Sequence, residues 1–421
     1  MEKAQVICTT CSTSADSRLD GIKFTTVLID EATQATEPET LIPIMHGCEN
    51  VILVGDHQQL GPVIISKQAK AAHLDYSLFE RLQILGIRPS PLTVQYRMHP
   101  LLSEFSSTFF YDGFLQNGVT QADRQRPHDF LWPRVGCPMM FWAIYGTEDQ
   151  GNGGVSYLNR SEAQGVASIL TSLLKNGIPG SNIGVITPYE AQRLYISRYL
   201  RQYGALSYDI YANIEIASVD SFQGREKDYI IFSCVRSNSL NSIGFLNDHR
   251  RLNVALTRAK YGIFILGNPN VLQYDSLWNS LLNFYQSHHC LVEGTFEHFR
   301  LYTAPFIKKQ PFRNIQRLKI ALEKQQLDIS QGRENENILA TLFNSGASDI
   351  INSSFIPNGL RFNPVVDGQL PVEDPNNNAE NIAELEEEEN TGYEEAIPLA
   401  EKKKESTDNN SLTATYEGLG L

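Results

Sequence analysis

No segment of this chain fits G-x-x-x-x-G-K-[ST], the loop whose backbone amides and lysine cradle the β- and γ-phosphates of a nucleotide. Gly146 and Gly151 have the spacing, but Asn152 takes the lysine position, and Glu148 and Asp149 would repel phosphate. Cysteine is scarce, six in 421 residues, and only Cys8 and Cys11 form a C-x-x-C. No second pair or histidine cluster completes a zinc site, so small buried thiols at a strand end in a reducing, intracellular setting are expected. No apolar run reaches the roughly 20 residues that span a bilayer. MEKAQVICTT also lacks the apolar stretch of a secretory signal, and a soluble chain is expected. Basic charge is in deficit: the formal net charge is −13, which argues against a globally basic nucleic-acid binder. Much of that charge lies in Ala383–Ala396, AELEEEENTGYEEA. Any nucleic-acid surface must therefore be local and built partly from backbone amides and hydroxyls.

Length predicts two to three domains, and 42% hydrophobic residues can fill their cores. Short apolar strands alternate with amphipathic helical stretches, the pattern of α/β proteins with parallel sheets. Strands are predicted at Gln5–Cys8, Thr26–Ile29, Val51–Val54, Met139–Ala143, Ile183–Thr187, Ile214–Ser218, Tyr229–Cys234 and Gly262–Leu266. Leu74, Leu78, Leu82 and Leu85 recur at helical spacing, with Gly86 as the helix stop. Asn159–Lys175, Pro188–Tyr203 and Asp248–Lys260 also read as helices. The expected division is residues 1–91 with three strands, then 92–300 with five. An extension with a basic helix (301–358) and a disordered acidic tail (359–421) follow.

Each chemically suggestive group falls where a strand ends, the place where α/β proteins put ligands. Asp30 and Glu31 close the run Val27–Ile29, as a Mg²⁺-coordinating carboxylate beside one that polarises an attacking water. GDHQQLGP follows the next strand, where Asp56 and Gln59 can approach the ion, water or a γ-phosphate; alone, the same residues suit a plain loop. In QYRMHP, Arg97 is a candidate stabiliser of phosphoryl transfer and Tyr96 a stacking surface, although an isolated arginine there equally suits a structural ion pair. VITPYEAQ presents Thr187, Pro188 and Tyr189 at a strand-to-helix junction, fit for a backbone phosphate and a sugar or base, or simply a helix start. In SVDSFQGREKD, Ser218, Asp220, Ser221 and Gln223 can meet nucleic-acid backbone and nucleotide, with Gly224 allowing close approach and Glu226 accepting from a ribose. Glu226 also reads as a solvated turn charge. Arg251 and Arg258, seven apart in HRRLNVALTRAK, are expected on one helix face; a basic surface stripe is the alternative.

In order, VLIDEATQ, VGDHQQLGP, QYRMHP, VITPYEAQ, SVDSFQGREKD and RRLNVALTRA resemble the successive motifs of superfamily 1 helicases. SLFERLQILGIRP, FYDGFLQNGVT, IEIASVDSFQGREKDYIIFSCVRSN and GFLNDHRRLNVALTRAKYG look like the up-frameshift RNA helicase family of nonsense-mediated mRNA decay, over about residues 4–299. The resemblance implies two RecA-like domains, the first incomplete, holding ATP between them with single-stranded RNA across their tops. It implies Asp30 as the Mg²⁺ ligand, acting through water, Glu31 as general base, Gln59 as γ-phosphate sensor, and Arg97 and Arg258 as arginine fingers. Tyr96, Gly224 and Glu226 match nucleotide-contacting motifs. Thr187, Pro188, Tyr189, Ser218 and Asp220 match RNA-contacting ones, and Thr9 and Thr10 are also expected to touch RNA. A cytoplasmic location and partners among mRNA decay and translation termination factors go with the family. The pattern departs from the family's in the phosphate loop, the adenine-sensing glutamine region, the accessory insertions and the amino-terminal zinc domain. The chain therefore reads as the later part of an ATP-driven machine, unable to hydrolyse ATP alone. A non-catalytic RNA- or protein-binding fragment and a DNA-directed relative are the alternatives.

Overall fold

A computed structural model describes residues 4–126, 130–151, 154 and 156–307. All lie in the first of two compact units, Met1–Ile350. The helices are α1 Glu37–Ile44, α2 Lys67–Ala71, α3 Leu78–Ile84, α4 Pro100–Phe110, α5 Arg160–Lys175, α6 Glu190–Tyr203, α7 Tyr208–Tyr211, α8 Val219–Phe222, α9 His249–Leu256, α10 Pro269–Leu272 and α11 Ser276–Ser287. Strands β1 Thr26–Ile29 and β2 Asn50–Leu53 form one parallel pair; β3 Val94–Gln95 and β4 Gln116–Asn117 form another. β6 Glu148–Gln150 and β7 Tyr157–Asn159 make an antiparallel ribbon. The main sheet joins β5 Met139–Ala143, β8 Ile183–Ile186, β9 Glu215–Ala217, β10 Lys227–Ser233, β11 Ala259–Gly267, β12 Leu291–Thr295 and β13 His298–Leu301 in the order β13-β12-β5-β11-β10-β8-β9. Only β13 runs antiparallel to its neighbour in that sheet.

The main sheet is sandwiched because its strands are apolar on both faces, as parallel strands must be when helices cover each side. Tyr229, Ile231 and Phe264 pack with Val166, Ile169, Leu173 and Ile196 of α5 and α6. Ile230, Phe232 and Ile265 pack on the other side with Phe105, Leu252, Trp278 and Leu281 of α4, α9 and α11. Helix starts follow local capping chemistry. Thr36 with Glu39 and Ser77 with Glu80 form reciprocal capping boxes, and Asp248 accepts from the amides of Arg250 and Arg251.

The α/β class with mostly parallel sheets agrees with the sequence expectation, while several elements differ. Gln5–Cys8 is not a strand: Val6 is 78% exposed, and no ladder partner serves it among the described residues. Cys8 is exposed and Cys11 half-buried, rather than buried as expected. A short apolar run becomes a strand only when a neighbour satisfies its backbone. The Leu74–Leu85 pattern yields a helix only from Leu78, because the Ser77–Glu80 box sets the start; Gly86 ends it at φ +93°. The predicted Asp248–Lys260 helix stops at Leu256. There Thr257 Oγ1 bonds back to Asn253 O (2.8 Å), a side chain competing with the helical backbone. β12 and β13 were not foreseen. The basic helix and acidic tail expected beyond Ile307 lie outside the described residues.

Candidate functional site

Asp30 follows β1 directly, and its Oδ1 accepts the amide of Glu31 (3.0 Å). Glu31 sits at φ +51°, a sparsely populated backbone region for a non-glycine residue. Its carboxylate accepts from Gln34 Nε2 (2.9 Å) and from Gln223 Nε2 (3.4 Å), the latter arriving from the main-sheet side. After β2, Asp56 Oδ2 accepts from Gln59 Nε2 (2.8 Å) and from the Tyr111 hydroxyl (2.6 Å). Burial, reinforced by Asp56, raises the Tyr111 phenol, so it stays a donor.

Arg258 reaches Gln59 beside these carboxylates, and Arg97 lies near Arg258. Arg258 is 2% exposed, in the turn between α9 and β11, with Nη2 3.3 Å from Gln59 Oε1. Burial, with Arg97 beside it, pushes its guanidinium down to about 10, opposed by Tyr111, Glu31 and Asp56; it remains a cation at neutral pH. Arg97 donates to Glu226 Oε2 (2.6 Å) and to Thr257 O (3.1 Å). Glu226 is shared with Lys260 (2.7 Å), and the Lys260 bond, aided by Arg97, lowers its carboxyl. Two groups fix the Tyr96–Met98 backbone. Gln95 Oε1 accepts the amides of Arg97 and Met98 while its Nε2 donates to Met98 O (2.8 Å) and Asn117 Oδ1 (2.6 Å). Arg124 donates to the carbonyls of Tyr96 and Arg97. Tyr96 itself is 66% exposed. Gly224 takes φ +75° in the turn between Gln223 and β10, a conformation open to glycine at little cost.

Thr187 and Ser218 sit side by side at the carboxyl ends of β8 and β9, where Thr187 N donates to Ala217 O (3.2 Å). Thr187 is buried and its Oγ1 has no hydrogen-bond partner. Ser218 caps α8, and Asp220 pairs with Arg251 (3.2 Å). Arg251 and Arg258 thus serve different places rather than one helix face. Tyr189 departs from expectation: it is 2% exposed, packed edge-on to Tyr157, and its hydroxyl accepts from Arg236 Nη1 (3.2 Å). In this arrangement its ring belongs to the core and offers no open face to a base. Behind this edge lies a buried polar cluster. Glu162 Oε2 accepts from Ser233 Oγ (2.6 Å) and from the amide of Val235, a β-branched residue at φ +71°. Burial pushes the Glu162 carboxyl up to about 8. Thr9 and Thr10 lie in an irregular segment, with Thr10 Oγ1 bonded to Thr13 Oγ1 (2.8 Å); no described hydrogen bond links them to the main-sheet edge.

Two family models, each described as an AAA domain, match residues 1–67 and 74–270. The chain is 57% identical over 318 residues to "Regulator of nonsense transcripts 1 homolog" of Arabidopsis thaliana, covering 75% of this chain and 25% of that protein. It is 57% identical over 312 residues to "ATP-dependent helicase NAM7" of Saccharomyces cerevisiae (74% and 32%). It is 51% identical over 324 residues to "ATP-dependent helicase upf1" of Schizosaccharomyces pombe (75% and 35%). The chain belongs to the up-frameshift family of superfamily 1 helicases. It spans between a quarter and just over a third of the length of these relatives.

Family membership makes a divalent ion relevant. Among the described residues no group of three or more His, Cys, Asp or Glu could hold a metal by itself. Asp30 offers one carboxylate beside Glu31, which suits an ion that brings water and phosphate oxygens of its own. No described helix is long and apolar enough to cross a membrane. Sequence reasoning gave no role to Tyr111, Asn253, Arg250, Glu80, Arg124 or Lys260. Tyr111, Glu80, Arg250 and Asn253 lie inside the family-like segments FYDGFLQNGVT, SLFERLQILGIRP and RRLNVALTRA, which was the available signal.

Proposed function

We propose that this chain carries the catalytic acids, the arginine pair and the RNA-facing edge of an ATP-dependent RNA helicase. Its setting is nonsense-mediated mRNA decay in the cytoplasm, alongside decay and translation termination factors, with ATP as substrate and Mg²⁺ as the ion. The observation that carries this reading is Arg258 Nη2 at 3.3 Å from Gln59 Oε1, a buried guanidinium meeting the acid-bearing loop. Glu31 would accept the proton of the attacking water, and Gln59 would read the γ-phosphate beside it. Arg97, now on Glu226, would turn to the charge developing on the transferred phosphoryl group while Lys260 retains that carboxylate. Arginines in such positions contribute ~10³–10⁵ in rate. Asp30 would hold the ion, which when bound neutralises charge on the β- and γ-oxygens. Exposed Tyr96 would support the base, with Glu226 taking the ribose after Arg97 leaves and Gly224 permitting close approach. The chain at Pro188, Ser218 and Asp220 would face RNA backbone, with buried Thr187 supporting that edge from beneath and Thr9 and Thr10 as outlying contacts.

A second reading has its own support: these 421 residues contain no G-x-x-x-x-G-K-[ST] segment. On their own they are proposed to bind RNA without turning over ATP. Fluorescence anisotropy with labelled single-stranded RNA and DNA, together with an ATPase assay on the purified chain, tests both. Salt-sensitive RNA binding with background hydrolysis is expected. RNA-stimulated hydrolysis at the level of an intact helicase would overturn the division of labour. A preference for DNA would shift the reading to a DNA-directed enzyme, and no binding to either would remove the nucleic-acid role.

A further inference from the structure

Arg250, on the first turn of α9, crosses to the acid-bearing part of the chain and bonds the carboxylate of Glu80 on α3. Glu80 is 7% exposed and already engaged in the Ser77 capping box. Gly61 makes this reach possible: a Cβ there would stand 2.7 Å from Arg250 Nη1, so the arginine tip would have to give way. Almost one turn along α9, Asn253 Nδ2 donates to Gln58 O (3.0 Å) and to the Tyr111 hydroxyl (2.9 Å), which in turn donates to Asp56. Past the end of the helix, Arg258 meets Gln59. Loop 56–61 is therefore held by Tyr111 at Asp56, by Asn253 at Gln58 and by Arg258 at Gln59, while Arg250, tied to Glu80 of α3, lies against Gly61 at its far end.

These grips are unequal. Asn253–Gln58 joins two neutral groups and contributes little net stability, and Arg258–Gln59 has one charged partner at a long 3.3 Å. Arg250 neutralises a carboxylate with little access to water, and removing one member of such a pair leaves an uncompensated charge, a large cost. The ion pair is thus the contact whose loss most favours lifting the loop from α9.

We propose that the Arg250–Glu80 ion pair, seated in the space left by Gly61, is the pivot that docks α9 on loop 56–61, making Arg250 a positioning residue for the Arg258–Gln59 contact. The value of that contact for phosphoryl transfer rests on the function proposed above; the docking itself does not. Hydrogen exchange of the full 421-residue chain without nucleotide tests it, so failure of the ATP reading would show in the hydrolysis and RNA assays and not here. In Arg250→Met, amides of residues 56–61 should exchange about tenfold faster while those of β10 and β11 keep their wild-type rates. Arg250→Lys, which keeps the charge and loses the planar fork, should restore part of the protection. Gly61→Ala should accelerate the same amides by displacing the arginine. Unchanged loop exchange in a folded Arg250→Met or Gly61→Ala variant overturns the proposal. So does acceleration spread equally through α9 and the main sheet, which marks a merely structural residue. If Arg250→Met does not fold, Gly61→Ala decides.

Discussion

The β1–β2 pair and the main sheet differ sharply in how they are covered. In the main sheet Ile183, Val185, Ile230 and Ile231 are fully buried, enclosed by helices on both faces. In β1 and β2, Leu28 is 61% exposed, Ile52 46% and Val51 42%. The acid pair therefore sits on the less covered sheet, while the buried arginine that faces it sits on the well-packed one. Contacts to α9, Tyr111 and Gln223 give loop 56–61 and Glu31 part of their placement. Structural rigidity at the candidate site comes largely from one side.

The largest test of this contrast is Trp278→Ala. The indole is fully buried between α11 and β10 and donates to Leu246 O (2.8 Å). Its removal should cost about 3–5 kcal/mol in urea unfolding, and a cost below 1 kcal/mol would break the picture of a tightly packed main sheet.

Next in size is a pH effect from the same sheet. Glu162 has its folded pKa raised from 4.5 to about 8, so between those values the native state keeps a proton that the unfolded chain loses. Its contribution to stability falls as pH rises through that window, by about 1 kcal/mol per unit. His99 is the opposite case: burial lowers it from 6.5 to about 4, so stability falls as pH drops through that range. The two slopes oppose one another between about 4.5 and 6.5, and only the Glu162 loss operates from 6.5 to 8. Glu162→Gln should flatten the upper limb in thermal unfolding at pH 6.5–8; an unaltered slope would show the carboxyl to be ionised throughout.

Smallest is Leu28→Ser on the exposed sheet. The side chain has little to lose, so stability should change by less than about 0.5 kcal/mol. A large loss in denaturant unfolding would mean that β1 is covered in solution.

What could be read beforehand follows the same divide. β5, β8, β10 and β11 were legible because unbroken apolar runs suit strands buried on both faces. α5 was legible because its period and its Asn159 cap agree. LVEGT and HFRL were missed, since glycine and charges interrupt them, and their hairpin joins the sheet only through the distant partner of LVEGT, β5. Gln5–Cys8 was over-read for the converse reason: apolar residues alone supply no ladder partner. At the candidate site, motif order pointed to Asp30, Glu31, Gln59, Arg97 and Arg258. It could not expose the Arg250–Glu80 pair, whose members are 170 residues apart and share no periodicity. Nor could it reveal that Tyr189 turns inward, because aromatic character does not tell core from surface.

Gln95 never touches the acids, yet both ends of its amide are committed. Two backbone amides lean on its oxygen, while its nitrogen serves Met98 O and Asn117 Oδ1. Spontaneous hydrolysis of that amide to glutamate would erase both donors and turn an anion toward two lone-pair oxygens. Chemical ageing at this one position would thus loosen the strip bearing Tyr96 and Arg97 while altering neither side chain.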